Sequence, residues 1–140
     1  MNQMQILWPV LLHMTLVICL YILLVQRKVR AVKQKLVDLR VTALNNQAWP
    51  EDVVKVSNNI ANQFETPVLF YVLCVLLLVL QGVDIFGLTL AWAYVALRVV
   101  HIYIHVGSNY VPRRLKVFGA SLFVLLAMLI KIAVLLTASF

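Results

Sequence analysis

The chain has 140 residues, of which 64% are hydrophobic and 12% charged, with a formal charge of +7. So apolar a composition, gathered into long runs, leaves too few polar positions to cover a water-soluble surface and excludes a soluble globular domain. Nor does the positive charge indicate nucleic acid, because nearly all the basic residues lie in two clusters flanking apolar runs, the pattern of cytoplasmic loops in membrane proteins.

Four runs, 6–25, 50–80, 85–106 and 115–140, reach the roughly 20 residues that a helix rising about 1.5 Å per residue needs to cross a bilayer. They predict an all-α integral membrane protein, a four-transmembrane-helix bundle forming a single domain over 1–140. The first run lacks a basic n-region and a small-residue cleavage site, so it is read as a mature span and not a signal peptide. Beyond it Val25, Val29, Val32, Leu36 and Leu39 recur at steps of four and three among Arg and Lys. That spacing predicts a basic amphipathic extension of the first helix, resting on its neighbours and on anionic headgroups.

Loop charge sets the orientation. Residues 26–55 carry Arg27, Lys28, Arg30, Lys33, Lys35, Arg40 and Lys55, and 107–116 carry Arg113, Arg114 and Lys116, whereas the 81–84 turn has no basic residue. In a four-span serpentine the first and third loops share a side, so both clusters place loops 26–55 and 107–116 in the cytosol and both termini outside.

The second span opens on a helix-start pattern: Pro50 suits the first helical position, and Glu51 and Asp52 complement the positive end of the helix dipole. Farther along, Asn58, Asn62 and Glu65 share one face at steps of four and three. Pro67 cannot donate to the Gln63 carbonyl and predicts a kink there. In the third span Tyr94, Arg98, His101 and His105 form one stripe at steps of four, three and four, with Arg98 roughly 12 Å inside the surface. An intramembrane carboxylate or guanidinium is costly unless paired, and the short turn forces these two spans to be antiparallel neighbours, so Glu65 and Arg98 are the expected ion pair. The polar groups beyond what a pair needs point to a polar, anionic guest, to which Arg27 or Arg30 could add a cation.

Other chemistries lack their residues. His101 and His105 stand four apart as helical metal ligands can, but they have no third ligand nearby, so no metal is expected. No GxSxG, P-loop or dinucleotide fingerprint occurs, and three histidines are too few for a di-iron centre. His13 is read as satisfied by a neighbour within the bundle, Lys131 as reaching to the outer surface, and Cys19 and Cys74 as small buried hydrophobes.

The segments NNIANQFETPVLFYV and LRVVHIYIHVGSNYVPRR resemble the family of membrane-associated proteins in eicosanoid and glutathione metabolism (MAPEG), which includes microsomal glutathione transferases and leukotriene and prostaglandin E synthases. The likeness extends to length, four-span layout and the large basic first loop, and it points to small bacterial members. It implies a homotrimer in a bacterial inner membrane, with glutathione as co-substrate between subunits near the cytosolic face and a lipophilic substrate arriving from the lipid. Asn62 and Glu65 match the last two positions of the family's Arg-x-x-x-Asn-x-x-Glu pattern, while Asn58 stands where its arginine would be. Arg98 and His101 match the third-helix pattern, with His105 in place of a tyrosine, and Arg113 or Arg114 fits the arginine that follows.

The resemblance thus implies a glutathione-dependent transferase or peroxidase acting on lipophilic electrophiles or lipid hydroperoxides. Arg98 and Arg113 are its candidate catalytic residues, and Asn62, Glu65, Arg98, His101, His105, Asn58, Arg27 and Arg30 its candidate glutathione ligands. Two other classes remain open at this point: a non-catalytic binding or assembly module on the same fold, suggested by Asn58 and His105, and a proton-coupled carrier using Glu65, His101 and His105.

Overall fold

The computed structural model of the chain describes residues 2–138, so the last two residues assigned to the fourth span lie outside the described residues. A 3₁₀ turn, Gln3–Ile6, leads into α1 (Leu7–Lys33). A short α2 (Leu39–Thr42) and a second 3₁₀ turn, Asn46–Ala48, occupy the first loop. Then follow α3 (Glu51–Gln63), α4 (Thr66–Val79), α5 (Ile85–Val106) and α6 (Val111–Ala138). Segments Gln3–Lys33, Glu51–Val79, Ile85–Val106 and Val111–Thr137 are each long and apolar enough to cross a membrane.

Four boundaries differ from the sequence reading. The first helix does not run on to Leu39 but stops at Lys33. Lys35 turns left-handed (φ 55°) and the Leu36 N–H closes on the Ala31 carbonyl at 3.0 Å, a terminator that outweighs the apolar periodicity beyond it. In the second span Pro50 is the cap and Glu51 the first helical residue. More consequentially, this span is broken, not kinked: α3 ends at Gln63, and Pro67 sits in the first turn of a new helix, where its missing N–H matters least. The fourth span begins at Val111, four residues before the apolar run itself, and so carries Arg113 and Arg114 in its first turn.

The interior has two apolar parts. Phe70, Leu73, Cys74 and Leu77 of α4 meet Ala91, Tyr94 and Val95 of α5 and Leu125, Met128 and Ile132 of α6. At the other end Leu20, Val56 and Ile60 join α1 to α3. Cys74 is buried as expected, whereas Cys19 is exposed on the outer face of α1. The outward faces carry Ile18, Ile22, Phe123, Leu126 and Ile130, all exposed, as helices bathed in lipid require.

Lys131 projects from α6 to Asp84, in the turn before α5, at 2.6 Å. Gly87 makes room for this crossing, since a Cβ there would stand 3.1 Å from the Lys131 Cε and 3.3 Å from the Asp84 Oδ1. The Gly87 N–H, donated to Asp84 at 2.7 Å, and then the Lys131 ammonium hold the Asp84 carboxyl below its ordinary value of 3.8. A carboxyl lowered in the folded state contributes stability above its unfolded pKa and loses it as pH falls through the folded one. Asp84→Asn should therefore unfold more easily in detergent at neutral pH, by under about 1 kcal/mol because the pair is partly solvated. The deficit relative to the unsubstituted protein should shrink as pH falls through the lowered carboxyl range and vanish once Asp84 is protonated in the folded state, as followed by thermal unfolding across a pH series.

Candidate functional site

The break between α3 and α4 builds the site. Two residues, Phe64 and Glu65, separate the helices, so the last carbonyls of α3 lose their usual N–H partners. Arg98, on α5 opposite the break and fully buried, supplies a donor: its Nη2 reaches the Asn62 carbonyl at 3.2 Å and the Gln63 Oε1 at 2.8 Å. Gln63 is itself aimed by donating to the Asn59 carbonyl and side chain, both at 3.2 Å.

This corrects the expected pairing. Glu65 does not reach ion-pair distance of Arg98; the ion pairs among the described residues are Arg27–Asp52, Lys55–Glu51 and Lys131–Asp84. The break swings Glu65 out of α3 to an exposed position, while Gln63, one helical turn from Asn59, occupies the interior in its place. A neutral amide and a freed carbonyl thus solvate the guanidinium, and Arg98 keeps its Nε and Nη1 without hydrogen-bond partners.

Beside this latch lies a pocket of about 150 Å³ lined by Asn62, Glu65, His101, Arg114, Leu115 and Phe118. The stripe read on the third span is real: Tyr94, Arg98, His101 and His105 are all buried. His105 Nε2 stands 3.2 Å from Arg114 Nη1 and 3.2 Å from Asn62 Nδ2. A guanidinium can only donate, so His105 accepts through Nε2 and is neutral with its proton on Nδ1. Arg114 is fixed a second time, its Nη1 donating to the Asn109 Oδ1 at 2.6 Å. Asn109 adopts a left-handed backbone (φ 52°) with its N–H on the Ile104 carbonyl at 2.7 Å. One residue therefore both terminates α5 and holds a cation at the pocket wall.

Of the two arginines that could follow the third span, Arg114 lines the pocket and Arg113 does not; Arg113 is exposed, 5.7 Å from the Tyr110 ring. The helical start at Val111 decides this, because adjacent residues on a helix point about 100° apart. Asn58 is exposed and does not line the pocket. Arg27 is engaged elsewhere, donating to the Asp52 carbonyl at 2.6 Å, and Arg30 is exposed on the face of α1 beside Lys33 and Gln34.

Sequence reasoning missed Gln63, Asn59 and Asn109. The repeat of amides at 59 and 63, four apart, was a signal that these side chains share a face. Deeper in the bundle His13 is buried, with Nδ1 2.7 Å from the Tyr71 hydroxyl, the neighbour expected for it. Phe70 stacks on Tyr94 at 4.5 Å. No three metal-ligating side chains converge among the described residues.

The family model for MAPEG matches residues 6–134. The chain belongs to the MAPEG family. That span reaches into all four membrane helices and takes in the whole pocket, so this MAPEG protein is an integral, multi-pass membrane four-helix bundle of a family that includes glutathione transferases and related proteins. No curated protein and no solved structure gives a significant match.

If the latch holds the two halves of the broken span in register, Gln63→Leu should destabilise this MAPEG protein by about 1.5–3 kcal/mol, the range for hydrogen bonds to charged groups. Arg98→Leu should cost as much or more, and the double substitution less than the sum of the two. Unfolding of the three variants and the unsubstituted protein in one detergent measures the coupling.

Proposed function

We propose that this protein is a membrane-embedded glutathione-dependent transferase or peroxidase acting on lipophilic electrophiles or lipid hydroperoxides. The observation that carries the reading is a buried guanidinium with two unpartnered nitrogens, Arg98, adjoining a pocket whose wall holds a second guanidinium, Arg114. Such a donor-rich, poorly hydrated recess favours a small anion with several acceptors. Glutathione fits that demand, with two carboxylates, an amine that Glu65 can receive, and a thiol that reacts as the thiolate.

In this reading Asn62 and Glu65 bind and orient the peptide, and His101 closes the inner wall against Phe118, the ring centres 6.1 Å apart. Arg114, held by Asn109 and His105, presents fixed positive charge where a thiol would lie. Nearby guanidinium charge lowers a thiol pKa from its usual value of about 8.5. Because His105 is neutral and accepting, it orients Arg114 and adds no charge of its own.

The 150 Å³ pocket is smaller than the roughly 300 Å³ at which small-molecule sites begin. One subunit would then hold only part of the peptide, and a second copy in a homotrimer would complete the site; exposed Asn58 and Arg30 are available for that contact. An apolar groove of about 370 Å³ opens between Leu69, Val72 and Leu76 of α4 and Leu122, Leu125 and Leu129 of α6. It gives an apolar co-substrate a path from lipid to the thiol. In this reading the end of the bundle that carries the basic loops faces the cytosol, both termini lie outside, and the membrane is a bacterial inner membrane; the excess of Lys and Arg in those loops supports the orientation.

A non-catalytic binding module is the second reading. It is favoured by the engagement of Arg114 Nη1 with both Asn109 and His105, which leaves fewer of its N–H groups for a ligand.

The test is glutathione conjugation to a small apolar electrophile by the purified protein. Arg114→Ala should lower kcat by about 10²–10³-fold, as removal of one charge-stabilising donor does, with Arg114→Lys recovering part of it. Arg113→Ala should leave turnover unchanged. Equal activity in Arg114→Ala, or equal loss in Arg113→Ala, would overturn this assignment.

A further inference from the structure

Residues 34–44 are a folded segment turned inside out for water. Lys35 terminates α1, the Asp38 carboxylate caps α2 by accepting the Arg40 N–H at 2.9 Å, and Thr42 is buried with its hydroxyl on the Asp38 carbonyl. Yet Leu36, Leu39, Val41 and Leu44 are exposed, Leu44 at 96%. Four large apolar side chains on so short a surface segment are out of place in water.

Lys33, Lys35 and Arg40 alternate with these residues, and none belongs to an ion pair among the described residues. Asp38, the one acid between 26 and 50, already caps α2. Nearby, Lys28 lies 4.7 Å over the Trp49 ring, and tryptophan favours the headgroup layer of a bilayer. Cations interleaved with leucines, at the end of a membrane helix, match an anionic lipid surface, which offers phosphate to the first and hydrocarbon to the second. A second copy of the same segment would offer only like charge.

We propose that residues 34–44 form an interfacial foot that inserts Leu36, Leu39 and Leu44 into the bilayer surface and, with Lys33 at the end of α1, binds anionic phospholipid through Lys33, Lys35 and Arg40. This makes the first loop a lipid-reading element, separate from the pocket lined by Arg114 and independent of whether that pocket uses glutathione. A charge near an anionic bilayer surface contributes roughly fivefold in binding, so three together give a composition preference of about a hundredfold.

The full chain carrying Cys19→Ala and Leu44→Cys, labelled with bimane, is placed in nanodiscs of phosphatidylcholine with or without phosphatidylglycerol; buried Cys74 is left in place. The label should be quenched by a shallow lipid nitroxide and shielded from aqueous iodide, most strongly with phosphatidylglycerol. Lys33→Gln, Lys35→Gln and Arg40→Gln together should abolish the effect of phosphatidylglycerol. A Leu36→Cys label should report the same. Iodide quenching equal to that of free dye would overturn the proposal. So would a response indifferent to phosphatidylglycerol, or shielding accompanied by cross-linking between copies at position 44.

Discussion

The pocket depends on one hydrogen-bonded contact, that of the Arg98 guanidinium with the Gln63 amide and the Asn62 carbonyl. A broken helix inside a bilayer leaves carbonyls with no water to solvate them, and a buried arginine leaves donors in the same state. Each defect supplies what the other lacks. The contact also fixes where the pocket can be, because the break that frees the Asn62 carbonyl turns Glu65 and Asn62 toward α5 and α6.

From that latch the bundle divides. One half is closed by Phe70, Leu73, Leu77 and the α6 residues Leu125 and Met128, with the Lys131–Asp84 pair at its rim. The other half holds the polar stripe, two arginines and the basic first loop. The apolar half gives the polar half a frame, so that Arg114 and Glu65 line the pocket while Arg98 sits buried beside it, outside ion-pair distance of any carboxylate among the described residues. Two guanidinium groups against the single carboxylate of Glu65 leave an excess of positive charge there, which favours an anion and links the geometry to the proposed use of an acidic thiol peptide.

The four spans were legible in the sequence because lipid imposes a length and a composition that no packing detail can disguise. The stripe from Tyr94 to His105 was legible for the same reason, as polar side chains on an apolar helix have to face inward. The Glu65–Arg98 pair was not found, because opposite charges at matching depth say nothing of a helix break between them. Pro67 announced a disturbance, but whether a proline kinks a helix or starts a new one depends on the tertiary partner of the freed carbonyls, here Arg98. Arg113 and Arg114 could be separated only once the first residue of α6 was known, since one residue turns a side chain by about 100°. Asn109 carried a signal in hindsight: asparagine tolerates the left-handed turn that ends a helix. Its second task, holding Arg114, is a long side-chain contact that no local pattern encodes.

The most direct test of the central claim is calorimetric titration of glutathione into the detergent-solubilised protein, with its S-methyl and thiol-free analogues alongside. Saturable binding is expected, lost in Arg98→Ala and weakened in Asn62→Ala, with the analogues bound less tightly than the thiol. No heat up to millimolar glutathione, in protein whose folding is verified by its circular dichroism, would contradict it.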